Sequence, residues 1–255
     1  MSKRTARQTR KTRDKVSVII ITLNEECNLP RILGDLDRQT TRDFEVIVAD
    51  SNSEDATVAV ARSFMDRLPL RVVEMSGKGV SLGRNTGASQ AKYERLLFLD
   101  ADTRFDADFL DNSLNQLEAR GLHIGGVYLK CGESFSLLSA GMRLFNLGQW
   151  LFQRVFPMAT GACLFSTRMA HEKLGGFDEA IVLCEDCDYI RRAVKEKGLR
   201  FGMVRQKYFF NTRRLEKDGV LRMGFIYLRA NFHRLFFGEL YGNPFSYRFD
   251  HYDDR

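Results

Sequence analysis

Two carboxylates separated by one residue follow a short apolar run in this chain of 255 residues. The run covers residues 95–99, and Asp100 and Asp102 come directly after it. Such a run is typical of a strand buried on both faces of a parallel sheet, and ligands bind beyond the carboxyl ends of these strands. Proteins commonly hold Mg²⁺ or Mn²⁺ with one or two carboxylates and the phosphates of a substrate. The pattern therefore predicts a metal-diphosphate site, with simple solvation of a loop as the alternative.

A second acidic cluster, Glu185, Asp186 and Asp188, precedes apolar residues at helical spacing. It is predicted to lie in the first turn of a helix, where the helix dipole alone favours carboxylates. Helix capping and chemistry both remain open for it. Cys184 and Cys187 flank the cluster, and packing, redox chemistry and metal binding remain open for this pair because further zinc ligands at suitable spacing are missing.

Alternating strand and helix patterns surround the first acidic pair. Strands are predicted at residues 16–22, 44–49, 70–74 and 95–99, and a helix follows each of the first three. This repeating order indicates right-handed crossovers and a parallel sheet. The strand ends at Thr22, Asp50 and Asp100 are then expected to meet at one edge of the sheet and to form a crevice of nucleotide size.

The second half of the chain has a looser pattern. A helix at residues 106–119, strands at 125–130 and 160–165, and a short helix at 168–174 are predicted. The stretch at residues 137–156 is mostly apolar, but it contains too many polar residues to span a bilayer. We expect it to pack against the domain, with an acceptor groove or contact with lipid as the alternatives.

Positive charge is concentrated at the amino terminus. Seven Lys and Arg residues against one acid in residues 1–15 account for the formal net charge of +6. Such an arm is expected to be disordered, and it either solubilises the protein or attracts anionic lipid. We find neither a secretion signal nor the roughly 18 continuous apolar residues of a membrane span. We therefore expect a cytoplasmic protein without a nucleic-acid partner, with contact at the inner membrane face as an alternative.

The carboxyl-terminal region has an aromatic amphipathic pattern typical of helices that lie in a membrane interface. A helix that covers the core or forms a dimer is the alternative, and no pattern indicates an oligomeric state. The apolar stripe comprises Leu221, Phe225, Leu228, Phe232, Leu235 and Phe236, flanked by Arg222, Arg229, His233 and Arg234.

Five segments in order resemble the family-2 glycosyltransferases of the GT-A fold, over residues 16–201. They are residues 18–26, 50–55, 83–87 and 100–102, and residues 175–179 followed by Glu185 and Asp186. The resemblance implies an α/β protein whose Rossmann-like, mostly parallel sheet is sandwiched by helices, with a helical aromatic C-terminal extension. The expected domains are a basic arm at 1–15, a catalytic domain at 16–205 and the extension at 206–255. Residues 16–104 would form the nucleotide-sugar half of the catalytic domain and residues 105–205 the acceptor half.

The resemblance also implies roles for individual residues. Asp50 would accept a hydrogen bond from the ring N–H of a base, with UDP as the favoured nucleotide. Asp102 and Asp100 would hold a divalent cation, Mn²⁺ or Mg²⁺, and Arg84 could face the diphosphate. The implied nucleotide-sugar-binding residues are Thr22, Leu23, Asn24, Glu25, Asp50, Gly79, Arg84, Asp100, Ala101 and Asp102.

The implied reaction moves one sugar from a nucleoside-diphosphate sugar to an acceptor hydroxyl or phosphate, on a saccharide or a lipid-linked acceptor. Asp186 would be the general base, with Glu185 as the alternative. A single displacement predicts inversion at the anomeric carbon. The Gln-x-x-Arg-Trp motif of processive synthases is missing, since the one tryptophan, Trp150, lies upstream of the acidic cluster. Single transfer is therefore favoured over polymerisation.

Three other functions share some of these features. A phosphatase of the haloacid dehalogenase type also has Asp-x-Asp after a strand, but this chain has Arg104 where that motif has Thr or Val. A nucleotidyltransferase would use the same crevice and metal without needing Asp186. A membrane-associated protein that binds a sugar nucleotide without turnover is the third alternative.

Overall fold

The computed structural model describes residues 15–130, 137–153, 156–181, 183–209, 211, 219–236 and 238–241. In this part of the chain, helices flank a sheet of seven strands. The strands are β1 (Val16–Thr22), β2 (Phe44–Asp50), β3 (Leu70–Glu74), β4 (Arg95–Asp100), β5 (Ile124–Lys130), β6 (Cys163–Thr167) and β7 (Phe201–Phe209). The helices are α1 (Leu29–Asp37), α2 (Thr57–Arg62), α3 (Val80–Ser89), α4 (Phe109–Arg120), α5 (Leu137–Phe152), α6 (Arg168–Lys173), α7 (Glu185–Lys195) and α8 (Val220–Phe236).

The strand order in the sheet is β3-β2-β1-β4-β6-β5-β7. Strand β6 runs antiparallel to its neighbours β4 and β5, whereas the other pairings are parallel. The prediction of a mostly parallel α/β sheet sandwiched by helices is therefore confirmed. The reversal of β6 brings its first residues, and not its last, to the edge where the parallel strands end.

The register of β1 aligns the polar ends of three strands. Thr22 lies opposite Asp50, and Ile21 lies opposite Asp100. The predicted convergence of the three strand ends at one edge is thus confirmed. The polar residues that follow β1, β2 and β4 share that edge.

The central strands are buried on both faces, as their unbroken apolar sequences predict. Val18 and Ile20 contribute to one core, which also contains the inner faces of α1 and α4. Ile19 points to the opposite side and packs in a second core with residues of α3 and α7. The alternation of side chains along a strand therefore builds a helical layer on each face of the sheet.

Several element boundaries differ from those expected. The first predicted helix of the second half begins at Phe109 and ends at Arg120, and Gly121 after it adopts the left-handed conformation of a helix C-cap. Strand β6 begins at Cys163 because residues 161 and 162 form a turn. Strand β7 was not predicted, since apolar and polar residues do not alternate in its second half. It crosses residue 205, the expected end of the catalytic domain, and pairs with β5 along its length.

The two amphipathic segments of the second half are helical. The apolar stretch that starts at residue 137 forms α5, and the aromatic C-terminal pattern forms α8. Within the described ranges, no helix combines the length and apolar character needed to cross a bilayer. The described part of the chain does not include residues 1–14 of the basic arm, Cys131, the side chains of Leu221 and Leu235, or residues 242–255.

Candidate active site

Asp50 forms a rigid polar corner at the end of β2. Its carboxylate accepts hydrogen bonds from the Thr22 hydroxyl at 2.8 Å, from the Ser53 amide at 2.8 Å and from the Ser53 hydroxyl at 2.6 Å. The side chain is almost completely buried. Three donors that converge on one buried carboxylate fix its orientation and compensate for its burial.

The turns after β1 and β2 are bound to each other by side chains. Asn24 and Asn52 both adopt left-handed backbone conformations, which asparagine tolerates better than most residues. The amide of Asn24 donates to the Ser53 hydroxyl at 2.9 Å, and its side-chain oxygen accepts from the Glu54 amide at 2.8 Å. The Glu25 amide donates to the Thr57 hydroxyl at 2.7 Å. Thr22, Leu23, Asn24, Glu25 and Asp50, all predicted to bind a nucleotide, therefore lie together in one preorganised corner.

Arg84 of α3 connects the two acidic clusters of the sequence. Its Nη1 donates to Glu185 Oε1 at 2.6 Å, and its Nη2 donates to Asp100 Oδ1 at 3.1 Å. Only about 1% of Arg84 is exposed. Its guanidinium lies over the aromatic ring of Phe177, with 5.2 Å between Cζ and the ring centroid. The guanidinium was expected to face a diphosphate, but in this structure its terminal nitrogens face carboxylates. Arg84 thus holds the end of β4 and the start of α7 at a fixed separation.

Burial and charge act on this group in opposite directions. Burial raises the pKa of Glu185 to about 7; Arg84 opposes this rise and the neighbouring Asp186 carboxylate adds to it. Burial also disfavours the charge of Arg84, but Asp100 and Glu185 outweigh that effect and hold the pKa of Arg84 above its ordinary value. Arg84 therefore stays charged, and Glu185 can exchange a proton near neutral pH.

Gly161 supports both Arg84 and Asp186. A Cβ at this position would lie 2.6 Å from Nη2 of Arg84, so the close approach requires glycine. On its other side, the Gly161 amide donates to Asp186 Oδ2 at 2.6 Å. Asp186 is only half-buried, whereas Glu185 is buried. Of the two candidate bases, Asp186 is therefore the more accessible to a substrate.

The loop before α7 is anchored to α3 by Asn85. Its side-chain amide donates to the Phe177 carbonyl at 2.9 Å and accepts from the Phe177 amide at 2.8 Å. Gly176 has a φ of +76°, and a Cβ there would lie 2.6 Å from Asn85 Oδ1. The Arg-Asn-Thr-Gly segment at residues 84–87 thus holds both the second acidic cluster, through Arg84, and the loop that precedes it, through Asn85.

The first acidic pair follows β4 as predicted. Asp100 is partly exposed, and its amide donates to the Ala162 carbonyl at 3.2 Å. Ala101 is buried beneath it, while Asp102 lines a small pocket of about 150 Å³ with Asn28, Arg31, Arg104, Phe209 and Asn211. Gly79, the remaining predicted residue, is exposed directly before α3.

The carboxylate oxygens at this edge suit a hard cation whose remaining ligands would be phosphate and water oxygens. Among the described residues, no three His, Cys, Asp or Glu side chains form a ready-made metal cage. Asp100 and Asp102 offer oxygen ligands only, which favours Mg²⁺ or Mn²⁺ over zinc. The residues therefore fit a cation that binds with a diphosphate, and Asp102 would be the main protein ligand because Asp100 already accepts from Arg84.

Two important residues were missed by the sequence reasoning. Gly161 lies in a segment that was predicted to be a strand, so its contacts with Arg84 and Asp186 had no signal in the sequence. Asn85 lies in the segment at residues 83–87 that carries part of the family resemblance, but no role was predicted for it. Only the spacing of that segment relative to the acidic clusters could have indicated it.

The architecture defines a GT-A fold. Solved structures similar to it include S. aureus TarS residues 1–349 in complex with UDP-GlcNAc, and the mannosyltransferase PcManGT from Pyrobaculum calidifontis in complex with GDP-Man and Mn²⁺. The first has a TM-score of 0.64 at 20% identity and covers 78% of this chain and 59% of that one. The second has a TM-score of 0.64 at 22% identity and covers 86% and 65%.

The sequence comparison identifies the family. A family model described as Glycosyl transferase family 2 matches residues 17–175, and the chain belongs to this family. Validoxylamine A glucosyltransferase of Streptomyces hygroscopicus subsp. limoneus is 47% identical over 89 residues, which cover 33% of this chain and 20% of that protein. An uncharacterized glycosyltransferase of Haemophilus influenzae is 26% identical over 187 residues, which cover 71% of this chain and 62% of that protein. The match thus spans one fifth of the first relative and about three fifths of the second.

Proposed function

We propose that the protein transfers one sugar from a nucleoside-diphosphate sugar to an acceptor hydroxyl or phosphate, with a divalent cation and with inversion. The observation that carries this proposal is the bridge from Asp100 through Arg84 to Glu185. This bridge joins one residue of the first acidic pair to one residue of the second acidic cluster, and so supports a metal diphosphate and a general base acting in one crevice. Family membership supports the same reaction class.

The nucleotide would bind across the ends of β1, β2 and β4. Asp50, fixed by Thr22 and Ser53, would accept from the ring N–H of the base. Leu23, Asn24 and Glu25 would contact the base and ribose from the adjoining turn. UDP is the favoured nucleotide, but a guanine base also offers a ring N–H to an aspartate.

The diphosphate would lie towards the first acidic pair. A bound Mg²⁺ or Mn²⁺, held by Asp102 with Asp100, would offset the negative charge of the departing nucleoside diphosphate. Gly79 would let the backbone before α3 approach the phosphates. Arg84 would act by holding Asp100 in place and by adding positive charge behind it.

Asp186 would remove the proton of the acceptor. Its Oδ2 is oriented by the Gly161 amide, and the side chain is accessible at the start of α7. Glu185, buried against Arg84, is better placed to orient the helix start than to meet an acceptor. One base and one direct displacement lead to inversion at the anomeric carbon.

We further propose a domain division and an acceptor class. Residues 16–104 would form the nucleotide-sugar half, residues 105–205 with the rest of β7 the acceptor half, and residues 1–15 and 210–255 the flanking segments. The acceptor would be a saccharide or lipid-linked, and single transfer is favoured. The protein would act in the cytoplasm, with peripheral contact at the inner membrane face.

Calorimetric titration of UDP and GDP tests this function, each with Mn²⁺ and again with EDTA. Binding of one nucleotide that needs both Mn²⁺ and Asp102 is expected, so Asp102→Ala should lose it. Asp106→Ala is the matched control, because Asp106 belongs to another Asp-x-Asp and pairs with Lys130 at the surface. Binding of neither nucleotide would refute the proposal.

A nucleotidyltransferase and a binding protein without turnover make different predictions. The first would release diphosphate from a nucleoside triphosphate and would tolerate Asp186→Asn. The second would bind the nucleotide but would not consume its sugar conjugate. Release of UDP or GDP from the corresponding sugar nucleotide, lost in Asp186→Asn, separates both from the proposed transferase.

A further inference from the structure

Helix α8 presents four large apolar side chains to solvent. Phe225, Leu228, Phe232 and Phe236 are between 59% and 69% exposed. Their spacing of three and four residues places them on one face of the helix. On the opposite side of the helix Ala230 and Arg234 are buried, and Ala230 lies within a small cluster beside α7. The aromatic stripe that was expected to face either the core or a membrane therefore faces outward.

Ion pairs prevent the helix from turning this stripe inward. Arg234, almost fully buried, donates to Glu239 at 2.7 Å, and Arg191 of α7 donates to the same carboxylate at 2.9 Å. Rotation of α8 would break these contacts and leave buried charges without partners, which is costly. The outward position of the stripe is thus fixed by the packing of α8 on α7.

Helix α5 has the same inverted arrangement. Asn146 on its inner face exchanges two hydrogen bonds with the backbone of Leu129, at 2.8 and 3.0 Å, which fixes the rotation of the helix. Leu144, Leu147 and Trp150 on the outer face are between 48% and 70% exposed. Both helices are therefore anchored to the domain by polar contacts and expose apolar side chains.

The end of α5 lies beside α8. Phe156 follows α5, donates its amide to the Phe152 carbonyl at 2.8 Å, and places its ring 6.0 Å from the guanidinium of Arg234. The exposed residues Trp150, Leu151 and Phe152 therefore belong to the end of α5 that is nearer to α8. We call these two exposed faces together the α5/α8 surface.

The charge of the α5/α8 surface is entirely positive. Neither α5 nor α8 contains an acidic residue, and Arg143, Arg222 and Arg229 are exposed among the apolar side chains. Exposed aromatics with flanking arginines suit the boundary between anionic lipid headgroups and acyl chains. A symmetric dimer through this surface would bring two surfaces of like charge together, which disfavours it.

We propose that the α5/α8 surface docks on an anionic lipid bilayer. This deepens the peripheral contact of the proposed function by naming the surface that makes it. Because α8 packs directly on α7, docking would hold the proposed base at a fixed height above the bilayer. The test needs no sugar donor, so its failure is distinguishable from failure of the transferase proposal.

Trp150 allows a direct measurement, because it is the one tryptophan of the chain and lies within the surface. The full chain is mixed with vesicles of phosphatidylcholine alone or with one quarter phosphatidylglycerol. We expect a blue shift of tryptophan emission and quenching by brominated acyl chains with the anionic vesicles only. Salt at 0.5 M, about a threefold rise over physiological ionic strength, should weaken binding without abolishing it once the apolar side chains are inserted.

Two variants separate this surface from other sources of binding. Leu228→Glu combined with Phe232→Glu places acids on the stripe and should weaken vesicle binding by at least about tenfold. Met65→Glu, at an exposed apolar residue after α2, is the matched control and should bind like the wild type. Equal binding of the double variant, which retains the basic arm, would overturn the proposal. The proposal would also be overturned if the wild type did not bind vesicles but formed a dimer in sedimentation, and the double variant did not form this dimer.

Discussion

Nη1 of Arg84 lies 2.6 Å from Oε1 of Glu185, although the two residues are 101 positions apart in the sequence. This contact joins α3 to the first residue of α7 through the interior of the protein. It makes the positions of the two acidic clusters interdependent, since Nη2 of the same guanidinium contacts Asp100.

Removal of Arg84 should destabilise the protein strongly. In Arg84→Ala the Glu185 carboxylate stays buried without its cation, at an expected cost of about 3 kcal/mol in the free energy of unfolding. Urea denaturation measures this loss. Arg62→Ala is the control, because Arg62 pairs with Glu74 on the surface and should change stability by less than about 1 kcal/mol. A similar small effect at both positions would contradict the structural role of Arg84.

Gly161→Ala should disturb the site through a steric effect alone. The new methyl group would meet the Arg84 guanidinium at 2.6 to 2.9 Å, so the guanidinium or the turn must move. We expect a loss of about 1 to 3 kcal/mol in stability and reduced turnover. Gly148→Ala, in α5 with no atom close to the added carbon, should instead gain about 0.5 to 1 kcal/mol. Thermal unfolding of the pair would detect this opposite sign.

Asp186→Asn should separate chemistry from binding. The amide can still accept from the Gly161 N–H but cannot take a proton, so kcat should fall by about 10²- to 10⁴-fold with nucleotide affinity unchanged. Steady-state kinetics and calorimetry on the same preparation measure both quantities. Asp188→Asn is the neighbouring control: Asp188 pairs with Arg192 at 2.7 Å, so its change should affect stability more than kcat. If Asp186→Asn kept full turnover and Glu185→Gln lost it, the base would be Glu185.

His171 should make stability depend on pH below neutrality. Burial and then Arg192 lower the pKa of His171 to about 4, whereas an unfolded histidine titrates near 6.5. The unfolded chain therefore binds the proton more tightly, and the stability present above pH 6.5 is lost as the pH falls towards 4. The slope from this group is at most about 1.4 kcal/mol per pH unit.

His171→Gln should flatten that part of the stability curve, measured by urea denaturation between pH 4.5 and 7. His123→Gln is the control, because His123 is less buried and should contribute a smaller slope. Identical slopes in the wild type and in His171→Gln would show that other groups cause the acid sensitivity. A general loss of stability with an unchanged slope would have the same meaning.

The sequence predicted the side of the candidate site formed by strand ends better than the side formed by helices and turns. Thr22, Asp50 and Asp100 each follow a contiguous apolar strand, and parallel strands must bring their ends to one edge. The Arg84–Glu185 contact and the support from Gly161 depend on how α3, α7 and the turn before β6 pack. Periodicity gives the inner face of each helix but not the distance between two helix ends.

The C-terminal helix illustrates the same limit. Its stripe was visible in the spacing of Phe225, Leu228 and Phe232, and the helix itself was predicted correctly. Which face points outward depends on Arg234 and Glu239, a pair whose contact requires the chain to turn after α8. A pattern of apolar residues indicates that a face needs a partner, but not whether that partner is the core.

The reversed direction of β6 has a consequence for how such a protein can diversify. The first residues of β6 lie at the edge of the sheet where β1, β2 and β4 end. The connection between α5 and β6 therefore ends in the turn at Gly161, which contacts Arg84 and Asp186. Insertions or deletions in that connection would reshape one wall of the crevice directly. The opposite wall is formed by the contiguous residues 16–102 and would remain intact. Evolution or a protein engineer could therefore exchange one wall while retaining the other as a constant module.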